Sequence, residues 1–497
     1  METVPAVVAQ AAREFAREPA LVDPHRRRWN FAELHDETQT VSRALIASGI
    51  EPGDRVALWA PNSARWVLAA LGILGAGATL VPINTRFTGV EAADIITRSD
   101  AKGLIVTGPF LGTDRLASLP ASALPPFVLP LPHWDAFLDR AGETAAEAAS
   151  ERASAVRPDD LSDILFTSGT TGISKGVMSA HRQSLGVARA WAGIGGVGVK
   201  DRYLVINPFF NSFGLKAGLL ACLAGGATIV PQAVFDVPRA LELIEHEHIT
   251  VLPGPPTLYI GLLDHPGRIG HAIGSLRLAV TGAATVPPAL IERIRAELGI
   301  STVLTAYGLT EAVVATMCRP GDDTRTVAFT SGRAAAGFEV RIAEKDGEVL
   351  LRGPNVMLGY LDDPAATAAA IDPDGWLHTG DVGTLDENGN LTITDRIKDM
   401  YICGGFNVYP AEVERVLAGL PGVAEVAVVG VPDERFGEVG RAYVVARPGH
   451  DPAPDAVIAW CRERLAGYKT PRSVEIRAEL PHNASGKVLK YLLRENS

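Results

Sequence analysis

Residues 166–177 read FTSGTTGISKGV, which places Thr167, Ser168, Gly169, Thr170, Thr171, Gly172 and Lys175 in one short run. Small residues let a backbone curl until its N–H groups converge on an anion. The hydroxyls add donors and Lys175 adds a cation, so the run has the composition of a polyphosphate cradle. It is not a Walker A loop, which needs G-x-x-x-x-G-K-[ST]. Here Lys175 follows Gly172 by three positions and is itself followed by Gly176.

Five further segments carry residues able to bind or activate a ligand: TGAAT (281–285), YGLTE (307–311), GWLHTGD (375–381), DRIKDMYICGGFNVYPAEVE (395–414) and PHNASGKVLK (481–490). Something must hold them together, and the intervening text supplies it. Phe31, Leu34, Val41 and Leu45 fall on one face of a predicted helix that stops near Gly49. RVALWA (55–60) reads as a buried strand, WVLAALGILGAG (66–77) as a helix and ATLVPI as the next strand. This is βαβ grammar, and it predicts a parallel sheet covered by helices. The pattern returns at YLVINP (203–208), ATIVP (227–231), ITVLPGPP (249–256), LRLAVTGAA (276–284) and TVLTAYG (302–308). TGAAT and YGLTE therefore follow the carboxyl ends of strands, where α/β sheets bind ligands. The Ala/Glu-rich stretch 142–155 reads as a link between two lobes, residues 330–395 as a small β unit, and the text after Lys398 as a compact α+β segment.

Bulk composition narrows the function classes. A chain of 497 residues exceeds one ordinary core. Its net charge of −11 disfavours a nucleic-acid footprint. Cys222, Cys318, Cys403 and Cys461 are scattered without C-x-x-C spacing, which argues against a disulfide framework or a zinc site and fits reduced thiols in the cytoplasm. There is no signal-peptide pattern and no apolar run long enough for a membrane span. GIGGVG (193–198) matches G-x-G-x-x-G but follows a helix and precedes a strand, the reverse of a dinucleotide loop. His246 and His248, beside Glu245 and Glu247, read as a solvated helix face.

Taken together and in this order, the six segments resemble the adenylate-forming superfamily of acyl-CoA synthetases, adenylation domains and firefly luciferase, over essentially the whole chain. The resemblance implies an α/β N-terminal domain (1–397) with a β-barrel-like unit, and a small mobile α+β domain (398–497) hinged at Lys398. It implies ATP, Mg²⁺ and coenzyme A. The run 167–176 would hold the β- and γ-phosphates, and Thr167 and Glu311 would place Mg²⁺. Thr310 would donate to the α-phosphate. Gly282, Ala283 and Ala284 would bracket adenine beneath Tyr307 and Gly308, Asp381 would accept from the ribose hydroxyls, and Arg396 would reach ribose or phosphate. Lys487 would bridge the attacking carboxylate and the α-phosphate, and Gly404, Gly405 and Phe406 would line the pantetheine channel.

Within the superfamily, NPFF-x-x-FG-x-KAG (207–218), ITVLPGPPT, TGAATVP, VLTAYGLTEA and TMCRP are similar to an actinobacterial group of ligases. That group activates the bicyclic indane propanoate left when steroid rings A and B have been removed. The resemblance makes Phe210, Asn211, Lys216, Val313, Val314 and Met317 acyl-pocket candidates. Two positions depart from the pattern. Ser174 stands where many superfamily loops have proline, and Asn211 where the group has histidine. Other acids (fatty or aryl), a carrier-protein acceptor and a non-catalytic nucleotide binder are the competing readings. The sequence leaves monomer and homodimer open.

Overall fold

The computed structural model describes residues 2–23, 27–167, 174–282, 286, 288–396, 399–403, 406–433, 436–465, 467–482 and 487–495. The expected helix spans Phe31–Ala47. Asn30 accepts from the Glu33 backbone while Glu33 caps Asn30 in return, and Phe31, Leu34, Val41 and Leu45 are buried. Arg55–Trp59 is a strand with its last four residues buried, as expected for a parallel sheet covered on both faces.

Among the described residues of 2–396 there are two large sheets, a four-stranded one and a two-stranded ribbon at 109–114. The first runs, in spatial order, through strands 127–130, 101–106, 55–59, 79–82, 161–167, 175–180 and 359–360. It is parallel up to Leu161–Thr167 and antiparallel beyond. The second places 228–231, 202–205, 251–253, 278–282 and 302–309 side by side in parallel, then turns back antiparallel through Ala312–Met317. A four-stranded antiparallel unit joins 339–342, 348–352, 377–385 and 391–396. A buried core containing Phe31, Trp66, Phe209, Val280 and Leu351 underlies these elements. A separate core containing Tyr401, Val413, Val429, Tyr443, Val457 and Leu493 holds the α+β segment. Pairs Lys469–Glu412 (2.7 Å), Lys490–Glu414 (2.8 Å) and Arg494–Asp399 (3.3 Å) tie its two ends together.

Two expectations need correction. The stretch 142–155 does not separate lobes: Ala146–Ala155 is a helix between two strands of the same sheet, with Ala149 buried and Arg152 donating to the Ile50 carbonyl. Alanine favours a helix that can dock on small faces. Nor is the His246 region wholly solvated, because Glu247 is buried against Arg28 and Arg202.

Candidate active site

The phosphate-type run connects two paired strands. Thr167 and Lys175 face each other across the antiparallel ladder of 161–167 and 175–180, and Thr167 Oγ1 donates to the Lys175 carbonyl at 3.4 Å. Ser168, Gly169, Thr170, Thr171 and Gly172 lie outside the described residues, as do Ala283, Ala284, Lys398, Gly404 and Gly405.

The YGLTE segment ends the parallel strand Thr302–Leu309 and turns sharply into Ala312–Met317, with Leu309 opposite Ala312 and a bulge between Tyr307 and Leu309. Thr310 and Glu311 therefore sit at the tip of a tight hairpin, half-buried. The hairpin is fastened to strands 161–167 and 175–180 by a segment the sequence reading overlooked. Met357 N–H donates to the Glu311 carbonyl, and Leu358 and Leu361 N–H donate to the Met178 and Gly176 carbonyls. The Tyr360 hydroxyl donates to Glu311 Oε1 at 2.8 Å, while Lys175 Nζ lies 4.7 Å from the Tyr360 ring centroid. Thr167, Lys175, Tyr360 and Glu311 thus form one connected group. Burial, reinforced by the Glu311 charge, raises the Tyr360 pKa, so its hydroxyl stays protonated and donates. The GY pair inside NVMLGYLDD was the available signal, but a tyrosine at a strand end has too many ordinary uses to stand out.

A second group forms around Tyr307. Tyr307 Oη donates to Asp381 Oδ2 at 2.6 Å, joining the second sheet to the small β unit. The GWLHTGD segment aims this carboxylate through local bonds. Glu348 accepts from Gly380 N–H and pairs with His378, each at 2.8 Å, and Asp381 N–H donates to Thr379 Oγ1. Gly380 takes φ +69°, which favours glycine. Arg396 pairs with Asp381 across the backbone ladder. Gly282 lies opposite Ala306 on the adjacent parallel strand, and any Cβ there would collide with the Ala306 carbonyl oxygen.

Asn211 and Phe210, the acyl-pocket candidates, precede a π-helical segment, Phe213–Leu220, a form frequent at functional sites. Buried Asn62, also overlooked, fixes the loop before it, donating to the Val205 and Asn207 carbonyls and accepting from Phe209 N–H. Ala312–Met317 approaches the π-helical segment. Val313, Val314 and Met317 are buried, and Val314 has φ +56°, a strained value for a β-branched residue. Lys216 is 2 % exposed, pairs with Asp163 at 3.0 Å and donates to Ser179 Oγ at 2.7 Å. Its ammonium is thus engaged by two buried groups on strands 161–167 and 175–180.

Lys487 is exposed in the α+β segment, and the Phe406 backbone pairs with Cys403. Among the described residues no cluster of three or more acidic, histidine or cysteine side chains could hold a metal by itself, and no helix is long and apolar enough to cross a membrane.

Comparison with known proteins extends this geometry. The profile of AMP-binding enzymes matches residues 8–361, and that of the AMP-binding enzyme C-terminal domain matches residues 412–487. The chain is 58% identical to the 3-[(3aS,4S,7aS)-7a-methyl-1,5-dioxo-octahydro-1H-inden-4-yl]propanoyl:CoA ligase of Rhodococcus jostii, covering 99% of this chain and 98% of that one. It is likewise 58% identical to the ligase of the same name from Mycobacterium tuberculosis, over 100% and 99% of the two chains. Among solved structures, ATP-bound MatB from Rhodopseudomonas palustris superposes with a TM-score of 0.88 at 30% identity over 99% of both chains. With its parallel sheets, its hairpin-borne Thr167 and Lys175 and its Tyr307–Asp381 pair, this chain belongs to the AMP-binding enzyme family.

Proposed function

We propose that this chain is a cytoplasmic, ATP-dependent acid–CoA ligase acting on the steroid-derived bicyclic propanoate named in its two relatives. The observation that carries the reading is end-to-end identity of 58% with ligases of that acid. Four free, buried thiols suit a reducing compartment.

The reaction first joins the substrate carboxylate to the α-phosphorus of ATP, expelling pyrophosphate; the CoA thiol then displaces AMP. Two anions meet in the first step, so fixed donors and cations must offset their repulsion. Thr167 to Lys175 hold the β- and γ-phosphates. Tyr307 stacks on adenine, and Asp381 accepts from ribose. Thr310 donates to the α-phosphate, and Lys487 bridges it to the carboxylate. The Thr167 hydroxyl and Glu311 carboxylate are the hard oxygen donors that Mg²⁺ prefers, and the bound ion would neutralise phosphate charge. Residues 1–397 and 398–497 act as separate bodies hinged at Lys398, the second exchanging Lys487 for the face bearing Gly404, Gly405 and Phe406 between steps. Phe210, Asn211, Val313, Val314 and Met317 shape the acyl pocket. Apolar walls with Asn211 as the polar contact suit a bicycle carrying two ketones.

The Lys487→Ala variant tests the assignment. It should lose acid-dependent ATP–pyrophosphate exchange while still converting supplied acyl-adenylate and CoA to thioester. Equal loss of both half-reactions would remove Lys487 from the adenylation step.

A further inference from the structure

The geometry points to Tyr360 as a positioning residue that holds Glu311 and Lys175 in their working orientation, a role resting on the assignment of those two residues to Mg²⁺ and phosphate. Three observations converge. Its hydroxyl donates to Glu311 Oε1 at 2.8 Å, fixing one carboxylate oxygen and leaving the other to a cation. Its ring lies 4.7 Å from Lys175 Nζ, which restrains a long flexible side chain before any phosphate arrives. Its own backbone is immobilised: Tyr360 pairs with Val177 and its N–H donates to Thr367 Oγ1 at 2.9 Å. The preceding Gly359, at φ +143°, packs so close to Thr367 that a side chain would have to displace it. An aromatic phenol can serve a carboxylate and an ammonium at once, the first through its edge hydroxyl and the second through its π face. The fold uses it to join the metal-side glutamate of one sheet to the phosphate-side lysine of the other.

The two functions separate by substitution. Tyr360→Phe removes the donor and keeps the ring; Tyr360→Leu removes both. With a non-hydrolysable ATP analogue present, Mn²⁺ binding read by electron paramagnetic resonance should weaken roughly tenfold in Tyr360→Phe, as for loss of one hydrogen bond to a charged group. The Mg²⁺ concentration for half-maximal ATP–pyrophosphate exchange should rise in parallel, with the acid KM unmoved. Tyr360→Leu should also raise the ATP KM at saturating Mg²⁺. Glu311→Gln is the control: it should weaken Mn²⁺ binding by itself, and adding Tyr360→Phe to it should cause no further loss. Wild-type Mn²⁺ binding in Tyr360→Phe while Glu311→Gln is weakened would overturn the positioning role, as would fully additive losses in the double variant. Wild-type binding in both single variants would overturn the assignment of Glu311 itself, and the Tyr360 role with it. If Tyr360→Leu fails to fold, the near-isosteric Tyr360→Phe decides alone.

Discussion

Replacing Lys216 by methionine should destabilise the protein strongly. The ammonium and its partner Asp163 are each 3 % exposed as side chains and 3.0 Å apart. Asp163 also accepts from Ser162 and Ser184 at 2.6 and 2.7 Å, and Lys216 donates to Ser179 at 2.7 Å. Methionine fills similar volume but leaves the carboxylate buried without its cation. Removing one partner of a buried pair typically costs about 3–5 kcal/mol. Adding Asp163→Asn should recover most of it, because the amide oxygen still accepts from the serines. Urea unfolding followed by far-UV circular dichroism measures this. Because the pair joins strands 161–167 and 175–180 to the segment after Asn211, the acid KM and the ATP KM should both rise. A cost below about 1 kcal/mol would refute the reasoning.

Two further outcomes follow from buried groups. His181 is 1 % exposed, and burial pulls its pKa down to about 4 against weaker opposition from Asp163 and Asp160. Its Nδ1 accepts from Val4 N–H at 3.2 Å, which requires the neutral ring. Because the folded pKa lies below the unfolded one, this stabilisation is complete above about pH 6.5 and is lost as pH falls toward 4, amounting to about 3 kcal/mol. His181→Gln should flatten the stability profile in that window, as measured by thermal unfolding across pH. Gly282→Ala should reduce stability by about 1–3 kcal/mol and raise the ATP KM, because its methyl meets the Ala306 carbonyl oxygen; an unchanged melting temperature would contradict the close approach.

Much of the architecture was legible because periodicity reports burial. Strands such as 55–59 and 278–282 are nearly continuous apolar runs, and the Phe31 helix carries both its stripe and its cap. The misreadings have physical causes. Alanine and glutamate at 142–155 suit linkers and helices alike, and only docking on neighbouring helices decides between them. Other contacts were simply invisible: the sequence gives no sign that Lys216 meets Asp163, fifty-three positions away in the chain. Tyr360 and Asn62 went unnoticed for the same reason. Each acts by joining segments far apart in sequence, Tyr360 to Glu311 and Lys175, Asn62 to the 205–209 loop. The Tyr307–Asp381 contact likewise joins two segments that the sequence offered only separately.

The most direct measurement is a competition among acids. The protein would be incubated with ATP, Mg²⁺, CoA and an equimolar mixture of the bicyclic indane propanoate, its hydroxylated relatives, octanoate, palmitate and coumarate, and the thioesters and nucleotides identified by mass spectrometry. The expected result is one dominant bicyclic propanoyl-CoA, with AMP and pyrophosphate in equal amounts and with Asn211 tolerated in the pocket. A dominant fatty or aryl thioester would contradict the substrate assignment, and the absence of any thioester would contradict CoA as the acceptor.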